Sequence, residues 1–195
     1  NYEALGIFGE DPDVTPEELG RAIIDGFVAQ AEFFGTGADI TLSLVDLDAI
    51  DELSAALSVL TGSLAADPDG TAPDLTGARR GLLGFGRNPD PALDTNLVDL
   101  GGLLENLSFV TGNTTVATAA RDALNILESL VLANSTGPAT REATGLSIYF
   151  PEIEQYFRQG YLFIEGDQQW PDALAGFFQA GEDIPTERRA SFQTA

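Results

Sequence analysis

Apolar residues return at every third or fourth position along several stretches of this chain, and two shorter stretches alternate apolar with polar residues. After an opening that reads as the tail of an element and a Gly- and Asp-rich loop, the first helical stretch begins at Thr15-Pro16-Glu17-Glu18. Thr15 suits an N-cap, Pro16 the first helical position and Glu18 the return arm of a capping box. Leu19, Ile23, Phe27, Ala31 and Phe34 then share one stripe, which predicts an amphipathic core helix stopped by Gly35 and Gly37. Ile40 to Val45 alternates as a short strand does. Asp46 then heads a helix to about Leu64 whose stripe is Ile50, Leu53, Leu57, Leu60 and Leu64.

The stretch from Asp67 to Asp74 carries turn chemistry throughout, and residues 79–94 read as an irregular Gly- and Pro-rich excursion. Helices follow over about 95–107 and 114–133, the second broken at Asn134–Gly137. In Gly145–Pro151, Leu146, Ile148 and Phe150 share one face and Ser147 and Tyr149 the other, so the spacing predicts a strand ended by Pro151. Short helical pieces anchored by Trp170, Phe177 and Phe178 complete a single unit spanning residues 1–195, with no internal repeat. The pattern is helix-rich α/β with few strands. A lone strand leaves a row of backbone N–H and C=O groups without partners. Leu146–Phe150 is therefore expected to join a sheet whose other strands lie mostly outside this chain.

Composition narrows the chemistry. The chain has 195 residues, with 31 acidic side chains against 9 basic ones and a net charge of -22. It contains no Cys, His, Met or Lys, so all of its cationic side chains are Arg. Without Cys and His there is no thiol nucleophile, no Ser-His pair and none of the usual zinc, haem or iron–sulfur ligand sets. Without Lys there is no Schiff base and no P-loop lysine. The missing Met implies that Asn1 is not a translational start, and a processed or partial product is expected. A surface this acidic repels nucleic-acid phosphates and anionic membranes, so neither is an expected partner. No apolar run approaches the ~20 residues needed to span a bilayer. Strong acidity also suits a solvated surface with no partner at all.

The remaining chemistry rests on carboxylates. Asp67, Asp69 and Asp74 could supply oxygens to calcium from a flexible loop, although the spacing does not match an EF-hand and equally suits a solvated turn. No other cofactor is expected. Glu152 and Glu154 form a carboxylate pair beyond Pro151 with no orienting partner. Ser43 and Ser147 have no His or Lys to activate them. Arg79-Arg80 could bind an anion or be cut by an Arg-specific protease, but in so acidic a chain pairing with neighbouring carboxylates is the expectation. Three sequons begin at Asn106, Asn113 and Asn134.

One set of segments points further. Ala143-Thr144-Gly145-Leu146-Ser147-Ile148-Tyr149-Phe150-Pro151 resembles a pattern of clostripain-related cysteine peptidases. Thr15-Pro16-Glu17-Glu18-Leu19 leading to Ile23-Ile24-Asp25 resembles the helix that follows the catalytic region of that family. Thr41-Leu42-Ser43-Leu44-Val45-Asp46 and Val98-Asp99-Leu100 resemble later segments, in the same order, and the similarity spans most of residues 2–178. The resemblance implies a helix-rich C-terminal part of a caspase-like α/β sandwich, secreted and proteolytically processed, whose Cys-His dyad lies upstream of the first matching segment. This chain departs from the family in holding neither His nor Cys, so no catalytic residue is carried over. The implied function is the non-catalytic C-terminal portion of a clostripain-like endopeptidase, extracellular or at the cell surface. Its partners would be the upstream segment or chain of the same precursor and the parent enzyme's peptide substrate. The alternative is a secreted, non-enzymatic binding or scaffold protein that keeps the fold without the dyad.

Overall fold

A computed structural model describes residues 5–86, 88, 93–151, 154 and 169–182. The chain is a mixed α/β protein dominated by helices, with two small antiparallel sheets. A short helix α1 (Ile7–Glu10) precedes α2 (Pro16–Phe33), whose start is the predicted capping box: the Thr15 hydroxyl accepts from the Glu18 amide and the Glu18 carboxylate accepts from the Thr15 amide. The end of α2 is a Schellman turn, with Thr36 N–H donating to Ala31 C=O and Gly35 N–H to Glu32 C=O. Gly35 takes φ +70°, a conformation that favours glycine. Strand β1 (Thr41–Val45) follows as predicted. Asp46 then caps a 3-10 turn (Leu47–Ala49) that leads into α3 (Ile50–Ala65), which buries Leu53, Leu60, Thr61 and Leu64.

Residues 67–74 correct the expectation of a loop. They form the first half of α4 (Pro68–Arg79), with Asp67 as its N-cap. The physical reason is that turn chemistry and helix-start chemistry share residues: an Asp that accepts from a downstream amide, followed by Pro, begins a helix as readily as it makes a bend. Pro73 deprives Asp69 of its i+4 donor, but the Thr71 hydroxyl ties the new turn to the Asp67 carbonyl (2.8 Å) and the Leu64 carbonyl (3.2 Å). Burial of Ala72, Leu75 and Ala78 then decides in favour of helix.

Three further strands fall where the sequence predicts loop or helix. β2 (Gly84–Phe85) lies in the predicted irregular excursion. β3 (Leu97–Asp99) occupies the start of the helix predicted from 95, so α5 begins only at Leu100 and runs to Val110, with Asp99 as its N-cap. α6 (Thr114–Leu130) stops earlier than predicted and passes directly into β4 (Val131–Thr136), which covers most of the predicted break. Segments of two to six residues carry too few alternations to register as a period; their pairing partners lie far away in sequence.

β5 (Ser147–Tyr149) confirms a strand at 146–150 but overturns its expected isolation. It pairs antiparallel with β3, through Leu97–Tyr149, Val98–Ile148 and Asp99–Ser147, at the edge of a sheet ordered β2-β3-β5. Its hydrogen-bonding neighbour therefore comes from this chain. The core joins α3, α4, α5, α6 and this sheet with α7 (Gln169–Glu182). The predicted aromatic anchors are in place: Phe150, fully buried, meets Trp170 and Phe177 edge-on at 5.6 and 5.5 Å, and the Trp170 indole donates to the Tyr149 carbonyl at 2.7 Å.

Candidate functional site

Of the aspartates weighed for calcium, Asp67 has a structural role. The Asp67 carboxylate accepts from the Gly70 amide at 3.1 Å as the cap of α4. Asp69 is exposed in the first turn, and Asp74 lies one turn further on. Asp67 and Asp74, with Gly70, Thr71, Gly112 and Asn113, line an open depression of about 400 Å³; Asp69 is not among its lining residues. Among the described residues no group of three or more His, Cys, Asp or Glu side chains is placed to hold a metal ion.

Other sequence candidates have local roles. The Arg79 guanidinium donates to the Phe150 carbonyl (2.9 Å) and lies 5.6 Å from the centre of that ring, so it fastens α4 to the end of β5. Arg80 is exposed. Asn106 donates to the Ala78 carbonyl, Asn113 caps α6, and Asn134 donates to the Ala143 carbonyl at 2.6 Å. Ser147 and Glu154 are exposed, and Glu152 lies outside the described residues.

A buried polar cluster escaped sequence reasoning. Asp99, 1 % exposed, accepts from the Gly102 amide (2.8 Å), the Thr144 amide (2.8 Å) and the Thr144 hydroxyl (2.9 Å), while that hydroxyl accepts from the Gly101 amide (3.0 Å). The cluster locks the N-terminus of α5 to the segment entering β5. Every hydrogen-bonding position of the carboxylate that the structure uses is directed at backbone or Thr144, which makes it a structural cap and leaves no base aimed at a substrate. Asp94 similarly accepts from the Asn96 amide (2.8 Å) and holds Asn96 at φ +55°. A cap at Asp99 was legible only once β3 was known to end there.

The second sheet pairs β1 with β4. Its two strands pair antiparallel from Thr41–Thr136 to Leu44–Ala133, then slip so that Val45 faces Val131 and Leu132 bulges out of register. α2 packs on one face: Gly20 approaches Leu44 so closely that a methyl group there would collide with its side chain. By alternation Leu42 shares that face and Ser43 and Val45 take the other. On that second face the Ser43 hydroxyl bonds Asn134, Gly145 sits against Val131 and Ser43, and Val45 and Val131 pack against the helical core. The sheet is thus two strands wide, partly covered on both faces with none of its residues fully buried, and without a third strand among the described residues.

No family model, curated protein or solved structure matches this chain. No helix among the described residues is long and apolar enough to cross a membrane.

Proposed function

We propose that this chain is the non-catalytic C-terminal portion of a clostripain-like cysteine endopeptidase, and that its β1–β4 sheet continues the central sheet of a caspase-like α/β sandwich. The carrying observation is a sheet only two strands wide among the described residues, with α2 against one face and Gly145 and part of the core against the other. Two-stranded sheets are marginal, and covering both faces is the layer arrangement of a wider α/β sheet. Support for an incomplete sheet therefore moves from Leu146–Phe150, which finds its partner in β3, to Thr41–Val45 and Val131–Thr136. The ordered resemblances at residues 15–25, 41–46, 98–100 and 143–151 agree with this reading. On this reading the thiolate and imidazole of the dyad, which this chain lacks, come from another segment. In this role the chain carries no bond-breaking group; it buttresses the sheet on which the catalytic pair and the substrate's basic side chain are positioned.

The natural protein, purified from its source and offered peptides containing Arg or Lys, is expected to cleave after the basic residue. Iodoacetamide is expected to abolish that cleavage. An inert preparation, or cleavage indifferent to thiol alkylation, overturns the proposal and favours a non-enzymatic scaffold.

A further inference from the structure

Negative charge is unevenly distributed along the chain. Residues 11–52, which run from the approach to α2 through β1 to the first turn of α3, carry 11 acidic side chains and a single base, Arg21. Residues 95–130, which contain β3, α5 and α6, carry four acids and one base, and one of those acids is the buried cap Asp99. Every acid of the first segment is exposed except the half-buried Asp46. Its 11 carboxylates outnumber all 9 arginines of the chain, so arginines elsewhere in the chain cannot neutralise it. Two of those arginines are moreover engaged on carbonyls, Arg79 on Phe150 at 2.9 Å and Arg121 on Ser108 at 3.2 Å.

Local geometry relieves part of this charge. Glu17 pairs with Arg21 at 2.8 Å. Glu17, Glu18, Asp51 and Glu52 stand in the first turns of α2 and α3, where the helix dipole favours an anion. Asp25, Glu32 and Asp39 have neither kind of support among the described residues, and Glu32 lies near the carbonyl end of α2, whose last turn carries no base. The apolar burial that opposes their repulsion is small. α2 buries only Ile24 and Ala31, and β1 and β4 bury no residue, while α6 buries seven. Repulsion between exposed charges reaches across about 30 Å at 0.01 M salt but only about 3 Å at 1 M. Concentrated charge over little burial makes this the part of the fold whose stability salt controls.

We propose that α2 and the β1–β4 sheet form an ionic-strength switch: solution cations hold them on the core, and dilution releases them while α3, α5 and α6 stay folded. The cations act as a screening atmosphere. Among the described residues no group of three carboxylates is placed to hold a single ion.

Amide hydrogen exchange on the natural protein, in NaCl from about 0.01 M to about 1 M, tests this. Gly137 N–H donates to Ile40 C=O, and antiparallel alternation carries the same bonding toward β4 to Leu42 and Leu44. The amides of α2, Leu42 and Leu44 are expected to exchange about 10-fold or more faster at the low-salt end, with the α6 amides unchanged. Below about 0.3 M, sodium sulfate, chloride and thiocyanate at equal ionic strength are expected to protect α2 alike, because screening does not distinguish them. Asp25→Asn, Glu32→Gln and Asp39→Asn, combined, are expected to keep α2 protected at low salt. Exchange of α2 that ignores salt overturns the proposal, as does equal loss of protection in α2 and α6. Protection by sulfate but not thiocyanate also overturns it, by assigning the salt effect to apolar burial. So does a triple variant as salt-sensitive as the natural protein.

Discussion

α2 and α6 have similar lengths, 18 and 17 residues, and both carry an apolar stripe, yet α6 buries seven residues and α2 only Ile24 and Ala31. α6 lies against α3 and α5, which supply a facing surface along its whole length. α2 has β1 and β4 beneath it, a sheet too narrow to cover an 18-residue helix, and its C-terminal Phe33 and Phe34 remain 84 % and 65 % exposed. The lesson is that an amphipathic stripe states a demand for burial. Whether the demand is met depends on how much surface the rest of the fold places opposite. Among the described residues one region meets that demand and the other leaves much of it unmet.

The largest expected effect lies in the well-buried region. Phe150→Ala removes a ring packed between Trp170, Phe177 and Arg79 and should lower unfolding free energy by about 3–5 kcal/mol in urea titrations. Phe33→Ala should change it by less than about 0.5 kcal/mol. Comparable losses would erase the distinction between the two regions. Next in size, Asp99→Ala should cost about 2–3 kcal/mol, because the Gly102 and Thr144 amides lose a charged acceptor inside the core. An unchanged midpoint would show that Thr144 alone can cap α5.

Gly137→Ala sharpens the comparison from the other side. A methyl group at Gly137 would meet the Gly37 and Ala38 carbonyls, which are backbone and cannot rotate away. A cost of about 1–3 kcal/mol is expected, read as faster exchange at Leu42 and Leu44 with the α3–α6 amides unaffected. Arg21→Ala should change stability by no more than about 1 kcal/mol, since the ion pair is half exposed. The smallest effect is at Glu18. Hydrogen bonds from the Thr15 hydroxyl and then the Thr15 amide hold its carboxyl below the ordinary glutamate range. The capping box therefore contributes above that range and is lost as pH falls through the lowered value, and Glu18→Gln should flatten this part of an acid-melting profile.

Much of the helical frame was legible in sequence: the capping box at Thr15–Glu18, the stripe of Leu53, Leu57, Leu60 and Leu64, whose expected first member Ile50 is instead exposed, and the aromatic anchors Trp170, Phe177 and Phe178. The strand at 41–45 was legible too, but its importance was not. β4 was hidden because Val131–Thr136 is a strand only by virtue of β1, some 90 residues earlier, as the register from Thr41–Thr136 onward requires. The Asp67–Asp74 segment misled for the opposite reason, since Asp, Pro and Gly serve both bends and helix starts.

The amino-acid order by itself determined the elements whose instructions are local: where α2 and α6 begin, which faces of α3 and α7 are apolar, and that no thiol or imidazole chemistry resides in this chain. Tertiary structure alone decided which strands meet, which aspartates become caps, and which carbonyl the Arg21 guanidinium meets. Caps and periods act over three or four residues. Strand pairing and side-chain contacts join groups as distant as Arg21 and Leu132, and only the folded chain brings such groups within hydrogen-bonding reach.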